Sequence, residues 1–334
     1  MNFFNAVLSC ALFFFTGLLP LAVYGQDMKQ KAEAEGSVVF YATFNANDSK
    51  ALADGFKQLY PKIDATFYRT TDSQLMERIL TENRAGRNLW DVVIATNFYG
   101  HNLKKRGMLA AYDSPERKHF RDGYKDPQAT WTSIYTNYAA FGYNTNGVSK
   151  GSIPKGYTDL LKSEWTGQIG LEARAYEWFG TMIKAMGQEK GLAFMRQLAK
   201  QVQLRSGRTL IAQLVAAGEF RGSVAAYSQT FEALKPNGAP VDWVYLNPVY
   251  ANIHPTGISS KAPHPNAARL FMDFVLSKRG QEIMRDVNRI PDRVDVLPLQ
   301  PRLVEGIKPV FAPVDVIENF ERYAKMFGDI FGGR

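Results

Sequence analysis

The stretch SVVFYATFNANDSKALADGFKQLYPKIDATFYR, residues 37–69, predicts the class of fold. Residues 37–41 are mostly apolar, as is typical of a buried strand, and residues 65–68 have the composition of a second strand. Residues 48–60 between them have the apolar spacing of a helix. A strand, a helix and a strand at this spacing predict a βαβ unit and therefore a parallel sheet.

The same alternation continues along the chain, with a helix that begins at Thr71 and a third strand over residues 91–95. In sheets of this kind ligands bind beyond the carboxyl ends of the strands. Each residue that this rule nominates also suits a turn or a helix cap, so the sequence leaves both roles open. The nominated residues are Thr43, Phe44, Asn45, Thr70, Thr71, Asp72, Thr96, Asn97 and Phe98.

The second half of the chain repeats the alternation, with predicted strands at 139–143, 167–171 and 222–227 and predicted helices at 176–186 and 191–200. The predicted fold class is therefore α/β with two lobes, each a mainly parallel sheet flanked by helices. The predicted boundaries are residues 36–135 and 255–305 for lobe 1, 136–254 for an inserted lobe 2, hinge segments near 135–145 and 249–258, and a C-terminal helical segment at 306–334.

The N-terminal 25 residues are apolar and contain no charged side chain, since the first one is Asp27. This composition, with small residues near Gly25, predicts a signal peptide over residues 1–25. An uncleaved membrane anchor is the alternative, because the apolar run approaches the length that spans a bilayer. The polar residues 26–35 are predicted to form a flexible leader. After Gly25 the chain contains no cysteine, so its core must hold the secreted protein together without disulfides.

The charge distribution argues against nucleic acid as a partner. The net charge is +8, but the basic residues are scattered and no run is longer than residues 104–106. Nucleic-acid binding favours cations and aromatic side chains interleaved on one element, and no stretch of the chain has that pattern. Two explanations of the positive charge remain, a basic surface exposed to solvent and an anionic ligand.

Sequence motifs of catalysis are also missing, which predicts that the protein is not an enzyme. The chain has no Gly-x-Ser-x-Gly elbow, no phosphate-binding loop and no dinucleotide fingerprint. The four histidines His101, His119, His254 and His264 lie far apart and are best interpreted as structural. A secreted hydrolase is a remote alternative.

Six blocks of sequence together resemble bacterial ABC-importer solute-binding proteins of the ferric-ion-binding type, over about residues 36–290. The resemblance implies a type II periplasmic-binding fold, a periplasmic location, and delivery of a small ligand to a permease in the inner membrane. It also implies a monomer that needs no cofactor. The blocks are WDV (90–92), GMLAAYDSP (107–115), YNT (143–145), YTDLL (157–161), WTGQIG (165–170) and APHPNAARLFMDFVLS (262–277).

The resemblance also implies where a ferric ion would bind, and the residues there differ from those of the ferric members. Their two adjacent tyrosines fall on Ser228 and Gln229, with Tyr227 next to them, and their His and Glu fall on Asn45 and Thr96. One phenol among neutral side chains is a poor ligand set for a hard cation. We therefore predict no metal site. The alternative is Fe(III) held by Tyr227, with Tyr41, Tyr135 or Tyr138 and a bound carboxylate as further ligands.

Residues 204–214, LRSGRTLIAQL, place Arg205 and Arg208 at the start of a predicted helix, where the helix dipole disfavours cations. The resemblance implies that this helix start and the turn at residues 174–176 face the cleft near a bound anion. A helix N-terminus with an adjacent arginine suits an anion, although each arginine could instead form a salt bridge or face solvent. The predicted ligand is a small anionic organic compound such as a carboxylate, a phosphonate or a phosphate ester. Its predicted contacts are Thr43, Asn45, Thr71, Thr96, Arg174, Tyr176, Arg208, Thr209 and Tyr227.

Overall fold

A computed structural model describes residues 19–332 of the chain, with side chains from Asp27 onward. This part contains eleven strands and twelve α-helices. The strands are β1 (Ser37–Ala42), β2 (Asp64–Arg69), β3 (Val92–Ile94), β4 (Leu109–Ala110), β5 (Thr132–Asn144), β6 (Ile169–Glu172), β7 (Val202–Arg205), β8 (Gly222–Tyr227), β9 (Val241–Val244), β10 (Val249–Ser259) and β11 (Pro309–Phe311). The helices are α1 (Leu19–Glu35), α2 (Ala46–Leu59), α3 (Asp72–Arg84), α4 (Asn97–Lys105), α5 (Tyr176–Met186), α6 (Gln188–Leu198), α7 (Arg208–Ala217), α8 (Ser228–Leu234), α9 (Pro265–Leu276), α10 (Lys278–Asp286), α11 (Val314–Glu318) and α12 (Phe320–Phe331).

Two lobes share two long strands, as the alternation of elements predicts. The main path of the sheet runs β2-β1-β3-β10-β5-β8-β6-β7. The strands β2, β1 and β3 are parallel in lobe 1, and β7, β6 and β8 are parallel in lobe 2. The first half of β5 pairs antiparallel with β10, and its second half pairs with β8 and β9. The strands β5 and β10 therefore connect the lobes and coincide with the predicted hinge segments.

Lobe 1 is stabilised by an aromatic core between its sheet and the helices α2 and α9. Phe40 of β1 stacks on Phe271 of α9 with ring centroids 4.9 Å apart, and Phe56 of α2 meets the same ring edge-on at 5.2 Å. All three rings are fully buried. Burying a side chain of this size contributes about 1.5–3 kcal/mol, so this core fixes the strand ends that lead into the cleft.

The C-terminal segment belongs to the core of lobe 2. Val316, Tyr323 and Phe327 are buried in one cluster with Trp178 and Phe179 of α5. The sequence predicts one helix near 316–327, but two helices, α11 and α12, meet at Asn319. The side chain of Asn319 hydrogen bonds to Asp315 and ends α11.

The expectation of a flexible leader at residues 26–35 is wrong, because these residues form the last turns of α1. Met28 and Ala32, one helical turn apart, are buried against lobe 1. The carboxylate of Glu35 accepts hydrogen bonds from the backbone N–H groups of Asn266 (3.0 Å) and Ala267 (2.7 Å) at the start of α9. Buried contacts and a carboxylate on a positive helix end hold the segment in place.

The predicted signal peptide falls largely outside the described residues, which begin at Leu19. Within residues 19–332 no helix has both the length and the apolar character that a membrane span requires.

Candidate functional site

A cleft of about 660 Å³ lies between the lobes, beside the hinge strands. Lobe 1 lines it with residues that follow β1 and β3 and with the start of α3. Lobe 2 contributes Glu172, residues 174–178 and 207–209, Tyr227 and residues 229–230. All nine residues that the sequence nominates as ligand contacts line this cleft: Thr43, Asn45, Thr71, Thr96, Arg174, Tyr176, Arg208, Thr209 and Tyr227.

The lobe 1 residues reach the cleft because β1 and β3 are adjacent and parallel, so their carboxyl ends share one edge. Asn45 is also the cap of α2, since its Oδ1 accepts a hydrogen bond from the N–H of Asp48 at 2.9 Å. Thr71 and Thr96 precede α3 and α4 at the cap position but make no side-chain cap bond. Asn45 therefore has a structural role in addition to lining the cleft.

Tyr227 and Arg208 form a pair on the lobe 2 side. The Tyr227 hydroxyl accepts a hydrogen bond from Asn252 Nδ2 at 2.7 Å, and the guanidinium of Arg208 lies 4.5 Å from the centre of the tyrosine ring. Burial raises the pKa of Tyr227, although Arg208 opposes that effect. Arg208 Nε donates a long hydrogen bond to the Ala225 carbonyl, and no carboxylate of residues 27–332 pairs with this guanidinium.

Glu172, which the sequence did not nominate, organises both arginine-bearing turns. Its Oε2 accepts the N–H of Gly207 at 2.7 Å, and its Oε1 accepts the N–H of Arg174 at 3.3 Å. One carboxylate thus connects the segments before α7 and α5. The side chain of Arg174 extends exposed into the cleft without an ion pair to any described residue.

The floor of the cleft carries polar atoms that lack partners among the described residues. Gln229 Oε1, Asn252 Oδ1 and His254 Nδ1 are buried and unpaired, although Gln229 Nε2 donates to Asn137. All three side chains line the cleft. Buried polar atoms are nearly always hydrogen bonded in proteins, so these atoms indicate that a polar ligand or water completes the site.

His254, interpreted from the sequence as structural, is therefore a cleft residue as well. Its ring stacks on Tyr135 with centroids 3.9 Å apart, and burial lowers the pKa of His254 to about 3. The guanidinium of Arg289 lies 5.1 Å from the centre of the Tyr135 ring and is ion-paired to Asp48. The imidazole is accordingly neutral at physiological pH.

Two further acidic side chains face the cleft from opposite lobes. Asp72 Oδ1 accepts the N–H of Thr96 at 3.2 Å, and Glu177 Oε1 accepts from Asn97 Nδ2 at 3.1 Å. Burial raises the pKa of both carboxyls. The sequence nominated Asp72 but not Glu177, which lies inside α5 and reaches lobe 1 only because the lobes meet.

Two of the four tyrosines that the Fe(III) alternative names lie outside the cleft. Tyr41 donates to Glu82 at 2.8 Å and Tyr138 bonds to Tyr124 at 2.8 Å, and neither lines the cleft. Tyr135 and Tyr227 do line it. Within the described part of the chain, no three His, Cys, Asp or Glu side chains are grouped so that they could hold a metal ion.

A hinged pair of α/β lobes with a polar cleft defines the class of solute-binding proteins. Residues 87–319 match the family described as bacterial extracellular solute-binding protein, and the chain belongs to that family. The type II periplasmic-binding fold and the family that the sequence blocks indicate are thereby confirmed.

Several proteins named for an ion or ligand that they bind are similar to most of the chain. The Fe(3+)-binding periplasmic protein of Serratia marcescens is 24% identical over 315 residues, which cover 89% of this chain and 92% of that protein. Iron-bound HitA of Pseudomonas aeruginosa has a TM-score of 0.77 at 18% identity and covers 88% of this chain and 99% of its own. AfuA of Actinobacillus pleuropneumoniae, with exogenous fructose-6-phosphate bound, has a TM-score of 0.75 at 21% identity, with 90% and 99% covered. These structures share the fold.

Proposed function

We propose that the protein is the periplasmic substrate-binding component of an ABC importer and that it captures a small anionic organic ligand in the cleft. The observation that carries this proposal is the pair Arg174 and Arg208, two guanidinium groups that enter the cleft with no carboxylate partner among the described residues. A guanidinium binds a carboxylate or phosphate through two parallel hydrogen bonds. The nine nominated side chains are proposed as its contacts, and a permease in the inner membrane is the proposed partner.

The relatives support the importer role and leave two ligand chemistries to compare. One relative is a ferric-ion binder and another has a sugar phosphate bound. Fe(III) prefers anionic oxygen ligands, whereas burial favours the neutral phenol of Tyr227. The unpaired arginines would repel a cation. Both features favour the organic anion over the naked metal ion.

The test is a thermal-shift screen with phosphate esters, phosphonates and carboxylates. A ligand at 100 times its Kd adds about 2.7 kcal/mol to the free energy of unfolding, which raises the melting temperature measurably. We expect Arg208→Met to abolish the shift. Arg205→Met is the matched control, because Arg205 pairs with Glu219 at 3.1 Å and does not line the cleft. A ligand-induced shift that survives in Arg208→Met would remove this residue from the site.

Iron titration separates the two ligand chemistries. We expect no tyrosinate-to-iron charge-transfer colour when Fe(III) is added to the purified protein. If the wild type develops this colour and Tyr227→Phe does not, the proposed organic anion is wrong and the ligand is Fe(III). The cleft is also proposed to bind without turnover, which analysis of recovered ligand after incubation would check.

A further inference from the structure

The charges that line the cleft are mixed, which a ligand that is only anionic does not explain. Four arginines and three acidic residues face the cavity: Arg69, Arg174, Arg208, Arg289, Asp72, Glu172 and Glu177. Three of these seven are already engaged: Arg289 by Asp48, Glu172 by two backbone N–H groups, and Arg69 by the Phe44 carbonyl. Arg174, Arg208 and the carboxylates of Asp72 and Glu177 remain, and among the seven only Arg289 has an ion pair within the described part of the chain.

The two remaining carboxylates converge on one place from different lobes. Asp72 at the start of α3 binds the backbone of Thr96, and Glu177 in the first turn of α5 binds the side chain of Asn97. Since Thr96 and Asn97 are consecutive residues, both carboxylates lie beside the start of α4. The charge of Asp72 is among the causes that raise the pKa of Glu177, after burial.

Hydrogen bonds already stabilise both carboxylates, and their donors are uncharged, while the charges of Arg69 and Arg208 oppose the rise in the pKa of Asp72 and of Glu177. Asp72 is hydrogen bonded to Thr43 and Thr96, and Glu177 is hydrogen bonded to Asn97 and Tyr250. A ligand that fills the cleft displaces water and strengthens the repulsion between the two acids. A cationic group placed between them removes the repulsion and supplies hydrogen-bond donors, whereas a hydroxyl supplies only the donors.

The floor of the same cleft adds an independent indication of a donor-bearing ligand. Gln229 Oε1 and Asn252 Oδ1 are acceptors in side chains that are 6% and 8% exposed, and both lack partners in the described part of the chain. Two acceptors thus lack donors in the same cleft as the two acids, while the anion-binding groups Arg174 and Arg208 lie on lobe 2.

We infer that the ligand is zwitterionic, with its anionic group on Arg174 and Arg208 and an ammonium group between Asp72 and Glu177. This inference rests on the proposed function and names the ligand class of the same cleft. It also gives the ammonium a position that both lobes must contribute, so the cation would bind fully only when the lobes are closed.

Calorimetry with matched pairs of compounds tests the inference. The pairs are glucosamine-6-phosphate and glucose-6-phosphate, 2-aminoethylphosphonate and ethylphosphonate, and 4-aminobutyrate and butyrate. Hydrogen bonds to charged groups contribute enough for us to expect the amino member of the best-bound pair to bind roughly ten- to a hundredfold more tightly. Glu177→Gln and Asp72→Asn should each weaken binding of the amino member by a larger factor than binding of its partner compound, which reduces that preference.

The outcomes separate the two proposals. Equal affinity for both members of every bound pair, or a loss in Glu177→Gln that is the same for both members, would overturn the zwitterion while the anion site stands. If no compound of any pair binds the wild-type protein or shifts its melting temperature, the proposed function fails and the inference fails with it. Arg208→Met should weaken both members of a pair equally.

Discussion

Arg208 occupies the first position of α7, where a cation is disfavoured by about 0.3–1 kcal/mol. The carboxylate of Glu172 offsets part of this cost, because it accepts the N–H of Gly207 at the same helix end. The guanidinium itself lies over the ring of Tyr227. The cost of a cation at this helix start is therefore partly offset by Glu172 at the end of β6. The guanidinium of Arg208 is left free to bind a ligand.

Glu172 should consequently support the arginines indirectly. In Glu172→Gln, the amide carbonyl can still accept one hydrogen bond, but the negative charge at the start of α7 is lost. We expect this variant to fold, to lose about 1 kcal/mol of stability, and to bind anions two- to tenfold more weakly as the turns before α5 and α7 loosen. Chemical denaturation and calorimetry measure the two effects. An unchanged stability would show that the Glu172 charge does not support this helix start.

Asp292 gives the protein a pH dependence that can be measured at one residue. It is buried beside Ser133 and Thr136, with no cation of the described chain paired to it, and burial raises its pKa to about 7. The folded state then holds this proton more tightly than the unfolded state, whose pKa is near 4. The contribution of Asp292 to stability is complete below about pH 4 and is lost as the pH rises to 7.

We therefore expect the free energy of unfolding of the wild type to fall relative to Asp292→Asn between pH 4 and 7. The upper bound is about 4 kcal/mol, and the difference should be constant above pH 8. Urea denaturation of both proteins at each pH measures it. A difference that does not change with pH would mean that Asp292 is ionised in the folded state.

At the scale of elements, apolar periodicity predicts those helices and strands that alternate clearly between buried and exposed residues. The helix 176–186 and the strand 222–227 are confirmed with the predicted bounds. The strand β5 is longer than the predicted 139–143, because its first half is polar and yet fully buried. Thr132, Thr136 and Asn137 are buried there through hydrogen bonds to residues distant in sequence, which no local pattern reveals.

The cleft residues likewise divide into those that the sequence predicts and those that it does not. Those after β1, β2 and β3 were predicted because the rule for strand ends depends only on the order of elements. Glu177 reaches the cleft from the first turn of α5, and Asn252 and His254 reach it from the hinge strand β10. Their role depends on how the two lobes face each other, and the sequence of each element alone carries no sign of it.

The contact between α1 and α9 can be tested as an element. Glu35 binds two N–H groups at the start of α9, so Glu35→Gln should cost about 1 kcal/mol of stability. Glu33→Gln is the matched control, since its ion pairs to Lys29 and Lys62 lie at the surface and should contribute less than about 1 kcal/mol. Denaturant unfolding compares the two variants. Equal effects would mean that α1 does not cap α9 in solution.

At the scale of the whole molecule, one helix of lobe 1 makes several of the contacts between the lobes. From α4, Phe98 stacks on Phe320 of α12 with ring centroids 4.0 Å apart. Lys105 pairs with Glu318 of α11 at 2.7 Å, and Asn97 reaches Glu177. We propose that α11 and α12, although outside the inserted lobe in sequence, move with lobe 2 and meet α4 when the cleft closes.

The stack between Phe98 and Phe320 should then determine how long a ligand stays bound. An aromatic pair contributes about 0.5–1.5 kcal/mol beyond its buried area, which corresponds to a two- to thirteenfold change in a rate. Surface ion pairs such as Lys105 with Glu318 contribute less. We expect Phe320→Ala to raise the ligand dissociation rate by that factor and to leave the association rate nearly unchanged. Phe320→Leu, which keeps an apolar contact without the stacked ring, should lie between the wild type and the alanine variant.

Stopped-flow fluorescence can follow this rate, because Trp178 lines the cleft. Small-angle scattering of the same variants, with and without ligand, reports the closure itself. Phe320→Ala should have a larger radius of gyration than the wild type at equal ligand saturation. If the dissociation rate rises without any change in dimensions, Phe320 acts as a wall of the binding site and the contact with α4 does not control closure.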